Sequence, residues 1–455
     1  MRIFNKAGRA ISRFSGDRGG NFAVVFGVAI SVVALSVGFG IDAAQLINAK
    51  SALREAVDAA VTSTARSITV GDITEEDAPE MVRAFLSANS SGGILSLDQI
   101  VLDTLTIDRS AKTVEVAAHV DVPLYFPLFG MPGTRRVSNS GAAIYSDKHI
   151  EVAMMLDLTT SMAENRRDRT NKIKDLRDAA SLAVSAFLDL NNPASPRVRV
   201  ALVPYSDGVN TGPLAGTVFR EALNSNGKAD APPALTAPRP VSAGGDACAT
   251  ERKNSAGTAI DYSDAGPYSA MVNRDDRLVS CPQSPLMPLT TDEDALLATI
   301  GGFKADGYTA GHIGVQWTRY LLSPAWRSTL EAAVPGSGPA SYTDNKVKKI
   351  AVLMTDGEFN TAFAGVPRSE NTRNAQGDRS RPAAEEMCRL MKKDKIEVFT
   401  VGFMLENADA RAVMQNCASD DYGGVQHFYL AADGEALKAA FKDIARNAER
   451  LALTR

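Results

Sequence analysis

Apolar and polar positions along the chain fall into three regimes. Residues 22–41, FAVVFGVAISVVALSVGFGI, carry no charge. As a helix rising about 1.5 Å per residue they would reach about 30 Å, the thickness of a bilayer's hydrocarbon core. The helical pattern does not stop there. Within residues 42–65, DAAQLINAKSALREAVDAAVTSTA, the positions Leu46, Ala49, Leu53, Val57, Ala60 and Thr64 repeat at helical spacing. Apolar run and stem together predict one long helix ending near Gly71. A second helix is predicted from Asp72 to about Asn89, before Gly92 and Gly93 break the pattern. Two alternating stretches, 100–108 and 112–126, read as a hairpin turning at 109–111, with a third strand at 135–146.

From about His149 strands alternate with helices. Strands are predicted at 149–157, 197–206, 346–356, 396–403 and 426–431. The continuous apolar run of the first marks a strand buried on both faces. Helices are predicted at 171–190, 292–303, 311–323, 383–395 and 434–451; in the first, Ile173, Leu176, Ala180, Val184 and Phe187 share one face. Such alternation implies an α/β domain, a doubly wound, mostly parallel sheet covered on both faces. A Pro/Gly/Asn-rich insertion, about 207–289, interrupts it. The expected organisation is a basic segment (1–21), a transmembrane helix (22–41), a stem helix with a small antiparallel sheet (42–147), and the α/β domain (148–455).

Charge orients this arrangement. Arg2, Lys6, Arg9, Arg13 and Arg18 precede the apolar run against Asp17 alone, and Asp42 follows it. The positive-inside rule then keeps the N-terminus in the cytoplasm and exports the rest, a single-pass topology. A cleaved signal peptide is the alternative, although the run is long for one and no clean small-x-small cleavage site follows it. Net charge is −4, so no basic field points to nucleic acid. The four cysteines lack zinc spacing. In an exported chain their even count suggests disulfides, in order Cys248 with Cys281 and Cys388 with Cys417; four buried thiols are the alternative.

Candidate chemistry lies where two buried strands end in carboxylates, at Asp157 (AMMLD) and Asp356 (AVLMTD). In parallel sheets, ligands bind beyond the carboxyl ends of the strands. Thr159 and Ser161 follow the first carboxylate, and Thr309 lies in a polar loop between the two strands. An all-oxygen set of this kind suits a hard divalent cation, Mg²⁺ or Mn²⁺. Mg²⁺ takes six oxygens at about 2.0–2.1 Å and keeps several waters. Helix capping is the structural alternative for the two aspartates. Asp306 and His312 are neighbours not selected as ligands.

Asp157-Leu-Thr159-Thr-Ser161, Thr309 and Thr355-Asp356-Gly357-Glu358 resemble the metal-ion-dependent adhesion site of von Willebrand factor type A domains. That family's pattern is Asp-x-Ser-x-Ser, a distant Thr and a distant Asp, on a Rossmann-like fold. The resemblance implies that Asp157, Thr159, Ser161, Thr309 and Asp356 hold the metal, leaving a coordination position for an acidic group of a partner protein. Thr159 departs from the usual Ser but keeps the hydroxyl, and the insertion departs further. Residues 19–66 are similar to the start of TadG-like proteins of the Tad (Flp) pilus-assembly group, which join a membrane anchor and an Ala-rich stem, often to a type A domain. CRLMKKDKIEVFTVGF followed by NCAS is also similar to the C-terminal part of that group, which supports the pairing of Cys388 with Cys417.

The expectation is a membrane-anchored, periplasm-facing binding protein of pilus assembly, with pilus or envelope components as partners and no enzymatic activity. A structural envelope protein with a vestigial metal site is the first alternative. A phosphoryl-transfer enzyme is the second: Asp157 followed by Leu158 and Thr159 loosely resembles loops with a nucleophilic aspartate. The ion-pump version has Lys where Leu158 stands, and neither a phosphate loop ending in Lys-Ser/Thr nor a Gly-x-Ser-x-Gly elbow occurs.

Overall fold

The computed structural model describes residues 21–453 except 71, 90–99, 110, 127–132, 147, 168, 190, 192–195, 216–246, 255–257, 268–270, 273–279 and 367–372. The basic segment before residue 21, Gly71, the Gly92–Gly93 break and much of the insertion lie outside these. The chain divides into two compact units, one of residues 1–68 and 73–145, the other of residues 69–72 and 146–455.

The first unit is built on α1 (Asn21–Val70), fifty residues without interruption. Its first half is long and apolar enough to cross a membrane, with Val25, Phe26, Val33 and Phe39 exposed. Its second half buries the face formed by Ala49, Leu53, Val57, Ala60 and Thr64. That face packs on one side of an antiparallel sheet, β1 (Ile100–Asp108), β2 (Thr113–Pro123) and β3 (Thr134–Ile144) in that order. From β2, Val114, Val116, Ala118, Val120 and Val122 point into this core at every second position. Helix α2 (Ala78–Asn89) starts six residues later than the pattern suggests. Asp77 accepts from the amide and hydroxyl of Thr74, so residues 74–77 form a turn, and Pro79 suits a first helical turn.

The second unit is a mixed α/β body. Strands β4 (His149–Asp157), β7 (Val198–Tyr205), β13 (Val347–Thr355), β14 (Ile396–Phe403) and β15 (Phe428–Ala431) run parallel in the spatial order β15-β14-β13-β4-β7. Short pairs lie outside this row: β5 (Glu164–Asn165) with β6 (Thr170–Asn171), and β10 (Arg252–Lys253) with β11 (Met271–Val272). β8 (Val209–Asn210) and β9 (Cys248–Ala249) extend the sheet edge, and β12 (Met287–Thr290) pairs antiparallel with β7. β12 thus returns the end of the insertion to the sheet.

Helices cover both faces. Met154 and Leu156 of β4 face α3 (Lys172–Leu188), α4 (Glu293–Gly301) and α9 (Gly434–Leu453). Ala153 and Met155 face the core of α5 (Gly311–Leu322), α7 (Arg373–Lys393) and α8 (Ala408–Cys417). A further short helix, α6 (Arg327–Ala333), follows α5. Disulfides join Cys248 to Cys281 and Cys388 to Cys417. The chain passes from β4 to β7 on one side and later to β13 on the other, so β4 and β13 are adjacent parallel strands whose carboxyl ends share one sheet edge.

Candidate metal centre

Asp157 is the last residue of β4 and is fully buried; Asp356 follows the last residue of the adjacent β13. Parallel register places both at one edge, which brings their carboxylates together although they are 199 residues apart. The amide of Asp356 reaches toward Asp157 Oδ2 at 3.4 Å. Asp157 Oδ1 accepts from the amide of Thr159 at 2.9 Å. Its Oδ2 accepts from Thr355 Oγ1 at 2.7 Å and from the Tyr205 hydroxyl at 2.9 Å. Ser161 Oγ donates to Asp356 Oδ1 at 2.6 Å and shares a hydrogen bond of 2.8 Å with Thr159 Oγ1. Lys172 Nζ donates to Asp356 Oδ2 at 2.9 Å. Thr159 and both carboxylates are buried, whereas Ser161 is exposed at the rim.

Thr309 comes from the loop before α5. Thr160 donates its amide to the carbonyl of Gly307, and Asp306 donates its amide to the carbonyl of Leu158. The Thr309 amide donates to Asn360 Oδ1 at 3.2 Å, while Asn360 and Thr361 donate theirs to the Thr309 carbonyl. The loop is therefore fastened to those following β4 and β13. A Cβ on Gly357 would stand 3.5 Å from Ser161 Oγ and 3.7 Å from Thr309 Oγ1, so the two hydroxyls flank one point. Gly307, at φ +88°, is needed for its backbone: a Cβ there would meet Asp207 Oδ1 at 2.8 Å.

All five residues singled out from the sequence meet at this edge. Neither aspartate caps an α-helix: α3 is capped by Asn171, which accepts from the Lys174 amide, and α7 begins at Arg373. His312 lies elsewhere, fully buried between Ser380 Oγ (2.7 Å) and Glu251 Oε1 (3.0 Å). Asp306 is exposed and accepts from Ser280 Oγ at 2.6 Å. Sequence reasoning missed Tyr205, Thr355, Lys172 and Asn360. Thr355 stood beside a chosen residue, and Tyr205 ends a strand as Asp157 does; nothing in linear spacing marked Lys172 or Asn360.

Burial, and after it the charge of Asp356, pushes the Asp157 carboxyl up to about 6. The donor set fits a hard divalent cation: two carboxylates and three hydroxyls, all oxygen, from three loops. Among the described residues no group of three or more His, Cys, Asp or Glu side chains is placed to hold a metal, so a site here depends on the hydroxyls.

No family model and no curated protein matches the chain. Among solved structures it is similar to the vWF domain of the type V pili tip protein Mfa5 from Porphyromonas gingivalis, at 14% identity and a TM-score of 0.37 over 68% of this chain and 97% of that one. It is also similar to the PilB minor pilin from Streptococcus sanguinis, at 13% identity and a TM-score of 0.36, covering 77% of this chain and 78% of that one. The pilus adhesin SpaC from Lactobacillus rhamnosus GG matches at 12% identity and a TM-score of 0.35, over 78% of this chain and 34% of SpaC. Likeness at this level carries no functional argument, which rests on the chain's own residues.

Proposed function

We propose that this chain is a membrane-anchored binding protein of the bacterial envelope, TadG-like in organisation. On this reading its second unit is a doubly wound, Rossmann-like domain of the von Willebrand type A kind. It engages an acidic residue of a pilus or envelope partner through Mg²⁺ or Mn²⁺ held by Asp157, Thr159, Ser161, Thr309 and Asp356. The apolar half of α1 anchors it in the inner membrane, with the N-terminus cytoplasmic and the bulk of the chain periplasmic. The observation that carries this reading is the meeting of Asp157, Asp356 and the Thr159–Ser161 hydroxyl pair at one sheet edge, with Ser161 exposed.

A second reading, a structural envelope protein whose site holds together without metal, draws on the Lys172–Asp356 ion pair. Metal titration separates them. In detergent, the full chain should gain several degrees in melting temperature with Mg²⁺ or Mn²⁺, since a ligand at about a hundredfold its Kd contributes about 2.7 kcal/mol. Asp157→Ala and Asp356→Ala should remove the gain. A wild-type curve unmoved by either ion would decide for the structural reading. Partner capture from envelope extracts, with and without EDTA, extends the test to binding.

A further inference from the structure

Lys172 is the first residue of α3, where the partial positive charge of a helix N-terminus disfavours a cation. Local helix preference therefore does not account for a lysine there, whereas the site does. Its ammonium lies 2.9 Å from Asp356 Oδ2, and its side chain is 19% exposed against a fully buried partner carboxylate. Ser161 Oγ takes the other oxygen of Asp356. Residues 162–171, with the small β5–β6 pair, thus begin and end at the same carboxylate.

We infer that Lys172 is a tethered counter-cation of this site, holding Asp356 when no divalent ion is bound and competing with the metal for it. The inference rests on the metal-binding reading above. Two buried carboxylates side by side repel each other, and each is costly to bury without a compensating charge. One ammonium on a four-carbon stem supplies a single compensating charge and can swing aside. A divalent ion at the same oxygens is repelled by that ammonium until it withdraws. The lysine thus stabilises the metal-free fold and weakens metal binding, two effects of opposite sign.

The test uses the full chain in detergent, with Mn²⁺ alone as the probe and two readouts: Kd by calorimetry and melting temperature in EDTA. Lys172→Met should bind Mn²⁺ more tightly, on the order of tenfold, and melt lower than wild type in EDTA. Lys172→Arg keeps the charge and should stay near wild type in both; Lys172→Gln is a second neutral variant should the Met variant fail to fold. A lysine that only braces the loop would lower the EDTA melting temperature without tightening the metal. Unchanged or weaker Mn²⁺ binding in both neutral variants, beside a responsive wild type, overturns this inference and leaves the metal reading standing. Absence of any Mn²⁺ response in wild type and variants removes both. A response confined to the neutral variants would uphold the competition and mark the wild-type site as closed by its own lysine.

Discussion

Asp157 illustrates how burial and a neighbouring charge together shape a residue. Both its oxygens accept hydrogen bonds, which favour the ionised form, yet full burial and the nearby Asp356 outweigh them and raise its carboxyl from 3.8 to about 6. Folding therefore takes up a proton between about pH 4 and pH 6, and this residue's contribution to stability falls as pH rises through that window. In EDTA, the unfolding free energy of wild type relative to Asp157→Asn should decline from pH 4.5 to pH 7 by an amount on the order of 2 kcal/mol, read from denaturant melts. A difference that stays flat across this range would show that Asp157 titrates normally. With excess Mg²⁺ the trend should reverse, because bound metal requires the ionised form. Carboxylates ending apolar strands were visible in the sequence. What positions them was not: Tyr205 and Thr355 reach Asp157 from neighbouring strands and Lys172 reaches Asp356 from α3, and no linear pattern encodes such reach.

At the scale of elements, periodicity was informative where it was long. The stem face of α1, the buried face of α3 and the alternation of β2 all match positions read from spacing. Among short elements the reading was uneven: α4 and β15 were expected, and others were missed. Helix α8, ten residues capped by Asn407, went unpredicted, and the four residues of β12 lay hidden in a segment that read as irregular. The described part of that insertion is well fastened: Arg252 is fully buried and donates to the carbonyls of Ser263, Ala265 and Gly266. One joint in the first unit is testable. Asp42 closes the apolar run of α1 and accepts from the amides of Tyr125 (2.8 Å) and Phe126 (3.0 Å) just beyond β2. Asp42→Ala removes the acceptor of both and should cost about 2–3 kcal/mol. Hydrogen exchange at 124–126 should then quicken markedly while β1 and β3 stay protected; unchanged exchange there would mean that the carboxylate holds nothing.

For the whole molecule, the apolar run and the disulfides make one joint statement about compartment. Cys388 in α7 and Cys417 in α8 are fully buried and bonded to each other, and Cys248 is bonded to Cys281. Disulfides persist outside a reducing cytoplasm. The five basic residues before the apolar run orient export of everything after it, provided that run serves as an anchor. The two features must therefore agree. In bacterial cells making the full chain, thiol labelling after denaturation should find no free cysteine, and protease added to spheroplasts should digest both units. A chain starting at residue 42 would stay in the cytoplasm, label at all four cysteines and lose stability. The loop of about thirty residues between Cys388 and Cys417 alone contributes about 3–4 kcal/mol on chain-entropy grounds. Free thiols in the full chain, together with resistance to external protease, would place the α/β unit on the cytoplasmic side. The site would then face the wrong compartment for an envelope partner, however well it bound metal.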